Sequence, residues 1–391
     1  MSAWPIKELA HVATILRIGI NPRDIDGDTK YVGLENIESG GRIINVSTAE
    51  AAGIESQKYQ FTADHILYGK LRPYLAKIAR PNFGGVCSTD ILPIEPSPAI
   101  DRNYLCHFLS QPSMISKANA RATGVNLPRI NPAELGKFTL PVPPIAVQRR
   151  IAEVLDHVDA LREKRRKSIA LLDELAQSIF LDMFGDPSKP SAWPVRTIGD
   201  LTESATYGTA EKAAPSGPIP VLRMNNITYA GRMDLRDLKY LASEPPERYM
   251  VRAGDILFNR TNSAELVGKT AVFTGNAPMA YAGYLIRLRA NCDNDPDYIS
   301  SFLNTSYSKR VLRAMCKSIV GMANINAKEL KSIRVPQPPY ELQRIFAHRL
   351  RQLRSQEATH RSHLAHLDTL FSSLQSRAFR GELWQDDLKD L

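Results

Sequence analysis

The sequence predicts an α+β chain: two mixed α/β domains in tandem, each followed by a long coiled-coil helix, the second half repeating the first with pseudo-twofold character. Three observations carry this. The 391 residues repeat at an offset that stays between 189 and 195. Two segments of about 40 residues contain neither Pro nor Gly. Both segments keep apolar residues at three-four spacing.

The repeat runs the length of the chain. SAWPI at 2–6 matches SAWPV at 191–195, and LENIESGGRI at 34–43 matches MNNITYAGRM at 224–233. DHILY at 64–68 matches GDILF at 254–258, and INPAEL at 130–135 matches INAKEL at 325–330. LPVPPIAVQRRI at 140–151 matches VPQPPYELQRIF at 335–346. A drift so small over half the chain marks a duplication with a unit of roughly 190 residues.

The first domain, residues 1–144, alternates short β-like runs such as ILPIEP with Gly, Pro and Asn turns, then becomes helical at 101–120. The central helix occupies 145–185: it starts after Pro144 and stops at Gly185. The second domain, residues 186–339, repeats the mixed pattern with DILFNR, TAVFTG and a helical run at 295–315. A second helix and a closing tail fill 340–391, starting after Pro339 and breaking at Gly381. Each helix would span about 60 Å.

The seam of the first helix reads Ile151, Leu155, Val158, Ile169, Leu172, Ala176 and Ile179. That of the second reads Phe346, Leu350, Leu353, Leu364, Leu367, Phe371 and Leu374, each 195 residues on. Phe184 and Phe379 close the two segments as further candidates for helix pairing or partner docking. Both seams break midway, at Arg162 and Arg165 in one and at Glu357 and His360 in the other. An antiparallel pair would bring these middles together, a polar layer able to fix register.

Composition narrows the function classes. The net charge is +9, a modest excess that favours a polyanion such as nucleic acid. The globular domains carry +2 and +6, while the helices and tail carry 0 and +1. The domains are therefore the better candidates for a polyanion, and the helices for packing. No apolar run is long enough to span a membrane. The start lacks a basic-then-apolar leader, and Cys87, Cys106, Cys292 and Cys316 read as free thiols, so a cytoplasmic location is expected.

Catalytic motifs fail on inspection. QPPY at 337–340 has Gln337 where an adenine-methylating motif needs Asn or Asp, and its repeat partner is VPPI at 142–145, so the prolines are a helix-start device. Gly268-Lys269-Thr270 lacks the glycine five residues earlier that a phosphate loop requires; Ser263 stands there. Glu329 and Lys331 have a nuclease-like spacing without the upstream Pro-Asp. His348, His360, His363 and His366 are solvated or seam residues. No catalytic residue, metal or cofactor is expected on this chain.

The loops after the DHILY and GDILF strands are better candidates for chemistry. They place Lys70, Arg72 and Lys77 in one copy and Arg260, Asn262 and Lys269 in the other. A second loop adds Asn126 and Arg129, and its partner adds Asn324. Arg and Lys can pair with guanine N7 and O6, and Asn with adenine N6 and N7. Equivalent positions with different side chains suit two domains that read different sequences.

Together these features resemble the specificity subunit of a type I restriction–modification enzyme. The most specific segments are LLDELAQSIFLDMFGDP at 171–187 and QSRAFRGEL at 375–383. PPIAVQRRIAEVLD at 143–156 and NRTNSAELVGKTAVF at 259–273 add to them. The resemblance implies two target recognition domains separated by an antiparallel pair of helices. It implies double-stranded DNA, two methyltransferase subunits and restriction subunits as partners, with S-adenosylmethionine, ATP and magnesium on those partners. It also implies a bipartite, asymmetric target with an unread spacer, for which helices of this length would serve as a ruler. The rival reading is a tandem-repeat protein-interaction adaptor without DNA specificity.

Overall fold

The computed structural model describes residues 4–263, 266–319 and 322–383. The chain divides into two units: Met1–Lys164 with His363–Leu391, and Arg165–Ser362. The division cuts through both long helices, so each unit is a globular domain with half of each helix. Contiguous boundaries at 144, 185 and 339 follow the chain; the units follow the packing.

In the first unit, α1 (Arg102–Leu109), α2 (Pro112–Ala120) and α3 (Pro132–Gly136) precede α4 (Ile145–Phe184). A four-stranded antiparallel sheet orders its strands Ala13–Ile15, Ile91–Pro96, Ile66–Gly69, Ile78–Ala79. A five-stranded sheet runs Gly19–Ile20, Lys58–Phe61, Gly85–Cys87, Lys30–Val32, Ser47–Thr48, with one parallel pairing between Lys30–Val32 and Gly85–Cys87. A ribbon of Ile6–Glu8 on Thr139–Pro141 closes the domain.

The second unit repeats this plan. It carries α5 (Pro296–Asn304), α6 (Ser306–Met315), α7 (Ala327–Lys331) and the first half of α8 (Tyr340–Arg380). Its main sheet orders Thr202–Tyr207, Leu285–Ala290, Ile256–Asn259, Thr270–Val272. Its second sheet again has one parallel pairing, Ile219–Leu222 with Met279–Tyr281. One addition is a three-stranded sheet of Thr261–Asn262, Met322–Asn324 and Lys317–Ile319.

The repeated glycine of GGR and AGR is a packing requirement. Gly41 and Gly231 have φ of +87° and +74°, and a Cβ there would strike the Ile78 carbonyl or the Asn304 amide.

Each long helix begins on the same device. Gln148 and Gln343 are fully buried. Gln148 donates to the carbonyls of Pro143 and Ala99 and accepts from the Asp101 amide. Gln343 donates to the Pro338 carbonyl and Asn294 and accepts from the Asp295 amide. The PP-x-x-x-Q pattern thus ties the helix start to the domain, with proline tolerated where a helix leaves its amides unpaired.

Within each unit the two helix halves run antiparallel. In the first, Ile151 and Leu155 share a core with Ala378, backed by Phe371, Leu374 and Phe379. In the second, Phe180 and Phe184 meet Phe346 and Leu350. Val158 is buried, whereas Leu172, Ile179, Leu353, Leu364 and Leu367 are half-buried. Phe180, outside the three-four list, is one of the most buried seam residues: it stacks on Tyr298 at 5.7 Å and meets Phe346 edge-on at 5.6 Å.

The polar break is an array of specific contacts. Arg162 donates to Asp159 and Asp368, both at 2.7 Å, and lies 4.4 Å over the Phe371 ring. Arg165 donates to His360 Nδ1 at 2.7 Å, so each of these two residues meets its own repeat counterpart. Glu357 takes a different course from the expected meeting with Arg165: its carboxylate pairs with Arg232 of the domain and with Arg361. Arg232 also holds Asp173 of α4 at 2.5 Å.

Candidate nucleic-acid interface

In each unit the loop after the central strand is tied to a second loop by backbone hydrogen bonds. In the first, the Ile130 amide donates to the Lys70 carbonyl, the Lys70 amide to Asp90, and the Arg72 amide to Pro128. In the second, the Ile325 amide donates to the Arg260 carbonyl and the Arg260 amide to Tyr284. Thr261–Asn262 then pairs with Ala323–Asn324 as a short strand. The two candidate loops of each copy thus form one surface on one backbone frame. Ala264, Glu265, Val320 and Gly321 of these segments lie outside the described residues.

The side chains on that frame differ. In the first unit Asp90 organises the surface. The Arg129 fork donates to both its oxygens, at 2.8 and 3.1 Å, and Lys70 lies 4.0 Å away. Arg129 is therefore engaged in holding the loops together, with Lys70 at the edge of ion-pair distance beside it. Arg72, Tyr74, Val125, Asn126 and Leu127 stand exposed around them, Val125 almost completely at 99%. Arg72 has φ of +51°, a left-handed backbone unusual for a residue with a side chain. The hydrogen bond from its amide to the Pro128 carbonyl holds it there.

In the second unit, among the described residues, no carboxylate occupies that place. Tyr284 stands at the position of Asp90 and is 54% exposed. Arg260 lies 4.8 Å over the Tyr207 ring, and Tyr207 is itself exposed. Asn262 accepts from the Ser263 amide, and Asn324 accepts from the Thr261 hydroxyl at 3.1 Å. The described residues of this surface are aromatic and amide-rich around Arg260, where the first surface is ionic and aliphatic. Composition gave no signal for Tyr207 and Tyr284, because neither follows the GDILF strand; the fold brings them there.

Lys77 and Lys269 do not belong to either surface. Lys77 donates to the Leu34 carbonyl at 2.6 Å, and Lys269 to the Met224 carbonyl at 3.0 Å. Leu34 and Met224 are themselves repeat counterparts, each opening a short 3-10 turn. Burial lowers the Lys269 amine from its usual value. The two lysines recur because they cap a turn.

Among the described residues, no group of three or more His, Cys, Asp or Glu side chains is placed to hold a metal ion. No helix among them is long and apolar enough to cross a membrane.

Comparison with known proteins places these features. The family described as the type I restriction modification DNA specificity domain matches twice, over residues 2–171 and 190–367. The chain is 27% identical over 336 residues to the EcoKI specificity subunit of Escherichia coli strain K12, covering 79% of this chain and 71% of that protein. It is 25% identical over 334 residues to the StySPI specificity subunit of Salmonella potsdam, with the same coverage of 79% and 71%. Among solved structures, the S subunit of a type I system from M. genitalium aligns with TM-score 0.58 at 15% identity, covering 96% of each chain. A chain solved in work on complex assembly of the type I R-M system aligns with TM-score 0.55 at 20% identity, covering 98% of this chain and 99% of that one.

Proposed function

The chain belongs to the type I restriction–modification DNA specificity family, and from that membership we propose that it reads a bipartite, asymmetric duplex target, one half with each unit. It is a specificity subunit, the non-catalytic part of a restriction–modification complex. As such it binds DNA and works with methylase and restriction subunits. Our reading adds two methyltransferase subunits per chain. It also adds a cytoplasmic setting, and leaves S-adenosylmethionine, ATP and magnesium to the partners.

One observation carries the bipartite reading: the same backbone frame presents different side chains in the two units. Like side chains on the frame held by the Ile130 to Lys70 and Ile325 to Arg260 hydrogen bonds would suit two like half-sites, and unlike side chains suit two different ones. Arg72 and Asn126 offer guanine- and adenine-reading donors beside the apolar Val125 and Leu127, which suit thymine methyl groups. Arg260, Asn262 and Tyr284 offer a different set. Methylation would fall to a partner, on an adenine taken out of the stack.

The test is a loop exchange. Residues 123–129 of the first unit are replaced by the corresponding loop of a relative with another target, and methylated adenines are mapped genome-wide in cells carrying the complete system. One half of the target should change while the other half and the spacer persist. Change in both halves, or in neither, would refute the assignment.

A further inference from the structure

The second unit contains a cleft of about 650 Å³ between the end of α4, the turn at Tyr229–Arg232 and the start of α6. Its wall carries Lys309, Arg310 and Arg313, and its rim carries Tyr229. Among the described residues neither Arg310 nor Arg313 comes within salt-bridge distance of a carboxylate, although Asp186, which Arg310 acts on electrostatically, lines the same cleft. Asn304 Oδ1 is buried on the same wall without a hydrogen-bond partner.

The repeat is an internal control on what these residues are for. The first unit builds the equivalent helix, α2, with Ile115, Ser116 and Asn119 at the three cationic positions, and has Ser39 at that of Tyr229. The fold therefore does not require the cations. Lys309 is also costly: it is largely covered, its Nζ donates to the Gly268 carbonyl at 2.6 Å, and it lies beside Lys269 and Arg313. A residue kept against desolvation and like charge points to an anion that offsets both.

We propose that this cleft receives an acidic segment of the methyltransferase subunit, so that the two units present non-equivalent docking sites to that partner. The proposal rests on reading the chain as a specificity subunit. A peptide segment fits better than a DNA backbone. Asp173 and Asp186 stand on the same wall and can accept from peptide amides, donors that a phosphate backbone does not carry. Asn304 Oδ1 likewise needs a donor, which a phosphate lacks and a peptide amide supplies.

The full chain would be titrated with the methyltransferase subunit of its own system at several salt concentrations. Wild type is compared with the triple variant Lys309→Ile, Arg310→Ser, Arg313→Asn, which installs the residues of the first unit. The expected result is a loss of roughly tenfold in affinity at low salt that narrows as salt rises, with duplex affinity unchanged. A second variant, Tyr229→Ser, alters only the exposed rim and should lose affinity without loss of fold. Equal binding by wild type and both variants overturns the proposal. So does a fall in duplex affinity with a shallower salt slope, which assigns the cations to DNA phosphates. If wild type itself fails to bind the methyltransferase subunit, the reading of the partners falls first and the proposal with it.

Discussion

In both units ion pairs secure the domain to a long helix, with different charge arrangements. In the first unit Asp156 of α4 accepts from His107 and Arg80 of the domain, each at 2.7 Å. In the second unit the signs reverse: Arg354 of α8 donates at 2.6 Å to the buried Asp297 of the domain. A further tether keeps its sign but changes its setting. Arg42 reaches Glu163 on an exposed surface, whereas its counterpart Arg232 reaches Asp173 and the buried Glu357. A duplicated protein has two similar domains and two similar helices, so incorrect pairing is a real alternative. On the wrong helix, at the 195-residue offset of the two seams, Arg80 would meet Arg351 and Asp297 would meet Asp159. Reversed charges disfavour that exchange by like-charge contact.

The sharpest way to break the comparison is Arg232→Ala. It leaves Glu357, only 2% exposed, without its domain partner. Loss of a partner from a buried pair costs about 3–5 kcal/mol. Urea denaturation should show that loss, and amide exchange should accelerate in the turn around residues 224–233. Arg42→Ala, the matching change on the exposed tether, should leave both measurements unchanged; equal effects would mean that burial does not distinguish the two tethers.

Next in size is Asp156→Asn. Burial by itself would raise this carboxyl, but hydrogen bonds from His107 and Arg80 outweigh it and hold the group down at about 2. A depressed carboxylate contributes stability that is complete above its ordinary range and is lost as pH falls through the folded value. The substitution should cost about 2 kcal/mol at neutral pH and little near pH 2. A loss that persists undiminished in acid would assign the role of Asp156 to packing.

Smaller still are Lys77→Met and Lys269→Met, each expected to cost about 1–2 kcal/mol through an unpaired carbonyl while leaving the salt slope of duplex binding unchanged. A flattened slope would restore these lysines to the DNA surface. The smallest effect on stability belongs to Arg72→Gly. It removes a side chain from a left-handed backbone that glycine adopts freely, so the melting temperature should hold or rise slightly. Duplex affinity should fall nonetheless; unchanged affinity would remove Arg72 from the reading surface.

The comparison also explains why some site residues were legible and others were not. Repetition of a basic residue at equivalent positions looked like shared function at Lys70 and Arg260, and equally so at Lys77 and Lys269. Only the last two turned inward, toward carbonyls 43 and 45 residues away in the chain. A one-dimensional pattern carries residue type but not side-chain direction, and a lysine that caps a turn looks the same as one that faces a phosphate. Tyr207 and Tyr284 were missed for the complementary reason: each lies on a segment remote in sequence from the loop it joins.

What the sequence determined by itself is the architecture. The duplication, the two proline-started and glycine-ended helices and their seams are all local or periodic signals, and they depend on backbone chemistry that acts within a few residues. The break in the seam at Arg162, Arg165, Glu357 and His360 was visible for the same reason. Only the tertiary structure decided the partners across that break, because ion pairs are chosen by geometry rather than spacing. It sent Glu357 to Arg232, 125 residues away, and it divided the chain into units that each join half of both helices.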